Sequence, residues 1–234
     1  MALPKLNTPT YELELPSTGE TLKYRPFLVK EQKLLLMAQE TGEEEDIARA
    51  MGNLVHSCTF GKIDSENAAL FDVEYLFLRI RGKSVGDTVK LSLTCPDDNK
   101  TKVDYNLNLE DISVNMLDDH TNEIYLTDDV KIIFRYPILT DMNGITGTSD
   151  VSGIFNLMSK CISEIHYGDD VYTKADMTNK DVDEFIDQLT GEQFEKITKF
   201  FNSMPKLRHV VNVTNPKTKK KSEIVLEGLQ SFLV

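Results

Sequence analysis

The stretch TCPDDNK, residues 94 to 100, sets a cysteine beside a proline at what reads as a hairpin tip, the shape of one knuckle of a zinc ribbon. Structural zinc takes four ligands, usually as two cysteine pairs. Asp98 stands where the second thiolate would be, and no Cys-x-x-Cys occurs anywhere in the chain. A turn of Pro, Asp and Asn is the simpler reading, so no metal and no cofactor is expected. His56, His120, His166 and His209 are the candidates for acid–base work. His56 falls beside the apolar face of a helix, and His166 at what reads as a helix C-terminus, where the dipole favours a cation. His120 and His209 fall in a loop and at the start of a strand. None is paired by spacing with a nucleophile and an orienting carboxylate. The pairs Asp118-Asp119, Asp128-Asp129 and Asp169-Asp170 read as solvated turn residues whose side chains point apart. Gly-rich phosphate loops, G-x-S-x-G, H-E-x-x-H and a complete calcium loop are all missing, so no catalytic residue is assigned.

Apolar periodicity outlines the elements that position these residues. YELELPSTGETLKYR reads as a hairpin in which Leu15 pairs with Leu22 and Leu13 with Tyr24. That register places Glu14 beside Lys23 and Glu12 beside Arg25, separating apolar from charged residues. The next helix, in YRPFLVKEQKLLLMA, ends in an unbroken apolar run from Leu34 to Ala38. At roughly 100° per residue the run goes most of the way round the cylinder, whereas a surface helix keeps one stripe. Either its own domain encloses it or part of it docks on another protein. Thr41 and Glu44 have capping-box spacing before Ile47, Met51, Leu54, Val55 and Cys58. A third helix is expected from Asp64 to near Gly82.

Val89, Leu91 and Leu93 then alternate, answered by Val103, Tyr105, Leu107 and Leu109 across the CPDDNK turn. EIYLTDDVKIIFRYP reads as another hairpin. Ile154, Leu157, Met158, Cys161, Ile162 and Ile165 form an amphipathic helical stripe. Thr178 with Asp181 and Thr190 with Gln193 open two short helices, and Pro205 ends the second. HVVNVTNPKTKKKSEIVLEG reads as a closing hairpin with a lysine-rich tip. The fold class is α+β, antiparallel β-hairpins combined with two groups of amphipathic helices. The Gly- and Asn-rich segment 141–150 is the best linker. It divides the chain into 1–140 and 151–234, unless the whole is one continuous domain.

Lys and Arg total 26 against 38 Asp and Glu, a formal net charge of −12. Such a surface repels nucleic acid and anionic membranes. The lysine tip is better matched to an acidic protein surface or to solubility than to phosphate. Cys58, Cys95 and Cys161 are far apart in sequence and suit a reducing compartment. No apolar stretch is long enough to span a bilayer, and the start has no uninterrupted apolar core of a signal peptide, so a cytoplasmic protein is expected.

The segments LPSTGETLKYRPFLVKEQKLLLMA, DVEYLFLRIRGKSVGDTV leading into CP, and FFNSMPKLRHVV followed by IVLEGLQSFLV occur in this order across nearly the whole chain. As a set the chain resembles the baseplate hub and hub-assembly proteins of T-even-like contractile-tailed bacteriophages. The resemblance implies a non-enzymatic part in building the tail baseplate. It implies other hub or tail proteins as partners, with no nucleic acid and no membrane; self-association is left open. The place implied is the host bacterial cytoplasm during assembly, and the virion baseplate for a protein that stays. Under that reading the candidate contact residues are Leu35, Leu36, Lys219, Lys220, Leu229, Phe232 and Leu233, each weighed against plain core packing. The alternative is a metal-ribbon or nucleic-acid adaptor using the CPDDNK and lysine tips.

Overall fold

A computed structural model describes residues 6–142 and 151–232 of the chain. Its fold is α+β, with small antiparallel sheets and amphipathic helices. There are two compact units. Unit 1 combines the chain up to Asn115 with the chain from Lys206 onward, and unit 2 is Met116–Pro205. This partition differs from a cut at the linker-like segment, most of which, 143–150, lies outside the described residues.

Unit 1 opens with the hairpin β1 (Tyr11–Glu14) and β2 (Thr21–Tyr24). Its register pairs Leu13 with Leu22 and Glu12 with Lys23, two residues away from the expected one. The tip is the reason: Leu15 N–H donates to Glu20 O and Gly19 N–H to Leu15 O, with Gly19 at φ +70°. Closing there uses up Leu15 before it can face Leu22. A slip of two keeps every side chain on its face, so the amphipathic pattern could not reveal it.

The helices α1 (Val29–Thr41) and α2 (Glu44–Cys58) follow. The expected Thr41–Glu44 capping box does not form. Thr41 is the last residue of α1, its hydroxyl donates to Ala38 O at 2.7 Å, and Gly42 takes the left-handed conformation at φ +72° that ends a helix. Met51, Leu54, Val55 and Cys58 of α2 are buried, as the spacing predicts. The third helix, α3 (Leu70–Val85), starts later than Asp64, because Asp64 caps a turn through Glu66 N–H and the Asn67 amide. Its buried line includes Val73, Leu76, Phe77 and Ile80. Next come β3 (Thr88–Thr94) and β4 (Lys102–Asn108), paired Val89–Leu107, Leu91–Tyr105 and Leu93–Val103. Leu109 turns inward on a 3-10 turn, and the short strand β5 (Ser113–Asn115) ends this part of unit 1.

Unit 2 carries β6 (Glu123–Tyr125) and β7 (Val130–Phe134), the expected hairpin, then α4 (Val151–Cys161) running straight into β8 (Ile162–Tyr167) and β9 (Asp170–Thr173). Sheet order is β6-β7-β8-β9. Ile162 and Ile165 therefore belong to a strand, not to the helical stripe, and His166 is not at a helix end. Ile165 pairs with Ile132 and Ile162 with Phe134, while the register shifts between Ile133 and Phe134. The extra residue, Ser163, is a β-bulge that brings both isoleucines to the same face. Their spacing of three then imitates a helix. Capping boxes at Thr178 and Thr190 open α5 (Asn179–Asp187) and α6 (Gly191–Ser203) as expected. Ile132, Phe134, Met158, Ile162, Ile197 and Phe200 lie in the buried core of the unit.

The chain returns to unit 1 with β10 (Lys206–Thr214) and β11 (Lys221–Glu227), in the order β11-β10-β5.

Candidate functional site

Helix α1 is held at its first turn by a buried carboxylate. Glu31, 5% exposed, accepts from Arg25 Nη2 at 2.9 Å and from Leu28 N–H at 2.8 Å. Burial works to raise its pKa, but the Arg25 guanidinium and the Leu28 amide hold it below the usual carboxylate range. Arg25 also donates to Pro26 O, and its own N–H donates to Cys58 O at the end of α2. Glu31 and Ala38 face inward, and the rest of α1 is largely exposed among the described residues. Leu34 is 58% exposed, Leu36 52% and Met37 52%, while Leu35 is half-buried. Between α1 and α2 runs an apolar groove of about 310 Å³ lined by Leu34, Met37, Ala38, Ala50 and Leu54.

The lysine tip is a hydrogen-bonded loop. Asn215, 1% exposed, donates to Asp97 Oδ1 at 2.9 Å, accepts from Lys217 N–H at 2.9 Å, and its N–H meets Lys220 O. Thr218 Oγ1 donates to the other Asp97 oxygen. Lys219 and Lys220 are exposed on this frame. Leu229 and Phe232 are placed otherwise than a contact surface requires. After Gly228 at φ +71° a 3-10 turn folds the tail back, leaving Leu229 5% and Phe232 0% exposed inside unit 1. Leu229 N–H donates to Glu74 Oε1 at 3.4 Å. Leu233 lies outside the described residues.

The residues singled out for chemistry serve local structure. Asp98 accepts from Lys100 N–H, Thr101 N–H and Thr101 Oγ1, which hold its carboxyl far below the usual range and shape the CPDDNK turn. Cys95 is buried, and burial together with Asp97 and Asp98 raises its thiol pKa, which disfavours a metal-binding thiolate. Burial pushes Cys58 up to about 11 and Cys161 up to about 12. No group of three His, Cys, Asp or Glu side chains is arranged to hold a metal among the described residues.

His56 Nδ1 bonds Ile63 O at 2.7 Å, His209 Nδ1 meets Asp111 O at 3.3 Å, and His166 Nε2 lies 2.8 Å from Glu164. His120 Nδ1 lies 2.9 Å from Ser203 Oγ, the nearest approach to a nucleophile and base. Ser203 already donates to Lys199 O at 2.8 Å, so His120 is the donor in that contact and leaves Nε2 buried without a hydrogen-bond partner. The ring stacks against Tyr136 and Phe200. This geometry suits an aromatic stack and activates no hydroxyl. The acidic pairs are all exposed.

Spacing alone did not show the work of the segments that carry the resemblance. In RPFLVKE, Arg25 and Glu31 form the fastening of α1. In LRIRGKSVG, Arg79 donates to Leu109 O at 2.9 Å and Ile112 O at 2.7 Å, and a Cβ on Gly82 would stand 2.6 Å from Asp87 Oδ1. Both segments tie one element to another. The sequence matches the family of the T4 bacteriophage base plate protein over residues 8–234. The chain belongs to that family and is a phage baseplate protein. No curated protein and no solved structure matches it. No described helix is long and apolar enough to cross a membrane.

Proposed function

We propose that this protein acts in the hub of the tail baseplate, as a hub subunit or as a chaperone of hub assembly, by binding other tail proteins without catalysis. The observation that carries the reading is the outward face of α1. Leu34, Leu36 and Met37 are each more than half exposed on a helix whose start is locked by a buried ion pair. A fully buried Leu contributes roughly 1.5–3 kcal/mol, so a few such anchors suffice for docking. Lys219 and Lys220 add a basic point on an acidic chain, complementary to an acidic partner.

Leu36→Asp should leave the unfolding temperature nearly unchanged and abolish co-purification with hub proteins from infected cells. Retention of the hub proteins by this variant would refute the assignment of α1. Phe232→Asp is the contrasting control: its side chain is buried, so the fold itself should fail. Mass spectrometry of purified virions separates the two roles, since a subunit remains in the particle and a chaperone is absent.

A further inference from the structure

Among the described residues, nothing covers the crest of α1. Glu31 and Ala38 mark the buried line. On the helical wheel Val29, Lys33, Leu36 and Glu40 lie opposite, with Met37 beside them. Val29 is 80% exposed, and Lys33 and Glu40 are exposed as well. Lys33, Leu36, Met37 and Glu40 are spaced i, i+3, i+4, i+7, the seam spacing of paired helices. Charge along the seam has a direction. Lys33 precedes the apolar centre and Glu40 follows it, both exposed on the crest.

A rim of one sign would suit a foreign helix of the opposite sign. A rim basic at one end and acidic at the other is complementary to its own reverse. Placing a two-fold axis between Leu36 and Met37 sets Leu36 against Met37 of a second copy and Lys33 against Glu40. This is the self-complementary arrangement that a two-fold interface requires. We propose that two copies of this chain associate through antiparallel α1 helices. The proposal rests on the reading above only in treating α1 as a contact surface, and it names a second copy as what covers the crest. Lys30 lies 3.3 Å from Glu31 of its own chain, so the two Lys33–Glu40 pairs carry the orientation. A 13-residue helix is about 20 Å long and offers less than the roughly 800 Å² per partner of a standard interface. The dimer is therefore concentration-dependent.

Sedimentation equilibrium of the isolated full chain from about 5 to about 500 µM spans the range in which such an interface forms. Wild type should pass from monomer to dimer. Lys33→Glu and Glu40→Lys should each weaken the dimer about tenfold, because each turns two cross-pairs from attraction to repulsion. Mixing the two single variants in equal amounts should restore it, as should the double variant. Both side chains are exposed, so unchanged thermal unfolding of each variant confirms that the fold is intact. A wild type that stays monomeric, or single variants that weaken association without rescue by mixing, would overturn the proposal. So would Lys33→Glu tightening and Glu40→Lys loosening capture of a tail component while self-association stayed the same, since that pattern marks a foreign basic helix. Failure of the wild-type chain to capture any hub protein, with the charge-swap rescue intact, would refute the hub assignment and leave the dimer standing.

Discussion

Glu31 and Asp141 do the same work in different units. Each is nearly buried, at 5% and 6% exposure, and each follows its arginine by six residues. Arg135 donates to Asp141 at 2.6 Å, Ile138 N–H donates to the same carboxylate at 3.0 Å, and Arg135 N–H donates to Cys161 O at 2.8 Å. These bonds repeat those of Arg25, Glu31, Leu28 and Cys58 in kind, and those among the arginine, the amide and the carboxylate in spacing as well. Removing one partner of such a pair leaves a buried charge, so Glu31→Gln should cost about 1–3 kcal/mol at neutral pH, read by urea unfolding. The folded-state pKa of Glu31 is depressed. Its contribution is therefore present above the ordinary carboxylate value and is lost as pH falls through the folded value. The variant should show a flatter decline in stability below about pH 4.5 than wild type.

Glu74 has the opposite sign. Burial pushes it up to about 7, and the Leu229 amide pulls it only partly back. A raised folded-state value means that its contribution is complete below the ordinary pKa and fades as pH rises through about 7. Wild type should lose about 1 kcal/mol or more between pH 6 and 8.5 relative to Glu74→Gln, which stays neutral throughout. Parallel losses in the two chains would show that Glu74 is solvated.

At the scale of elements, three hairpin tips in unit 1 share one construction. Leu15-Pro16, Cys95-Pro96 and Asn215-Pro216 each place a buried residue before a proline, and the fourth residue beyond it has positive φ: Gly19 at +70°, Asn99 at +52° and Lys219 at +63°. In each, that residue's N–H returns to the carbonyl of the buried residue. Glycine and asparagine enter the left-handed region readily, and lysine does so at a cost of roughly 1 kcal/mol. Lys219→Gly should accordingly raise stability by a few tenths to about 1 kcal/mol, visible as a higher unfolding temperature. A drop would mean that the lysine stem packs on the tip.

Much of the element plan was legible because alternation and capping are local signals. The β3–β4 hairpin and the starts of α5 and α6 follow from them. The β8 strand was not legible, because a single bulged residue at Ser163 converts a two-residue period into a three-residue one. The first hairpin's register was hidden for a related reason: a two-residue slip leaves the apolar and charged faces as they were. For the surface, the exposed side of α1 was visible as an apolar run too wide for one stripe. Nothing in the tail LQSFLV distinguishes residues that cover a core from residues that meet a partner, so the burial of Leu229 and Phe232 needed the fold.

For the whole molecule, the chain falls into two compact units, each with its own Arg–carboxylate fastening. Hydrogen exchange should therefore resolve two cooperative groups of amides, one in β3, β4, β10 and β11 and the other in β7 and β8. A single common protection level across both groups would contradict this.

The pairing of β10 with β5 joins Lys206–Arg208 to Ser113–Asn115 across the whole of unit 2. On the ribosome this fixes an order of events. Residues 116–205 have been translated before the strand that completes the β5 sheet emerges from the exit tunnel. The inner unit can settle while the outer one still waits with an open sheet edge, and such an edge is the place where a nascent chain is most exposed to wrong pairing.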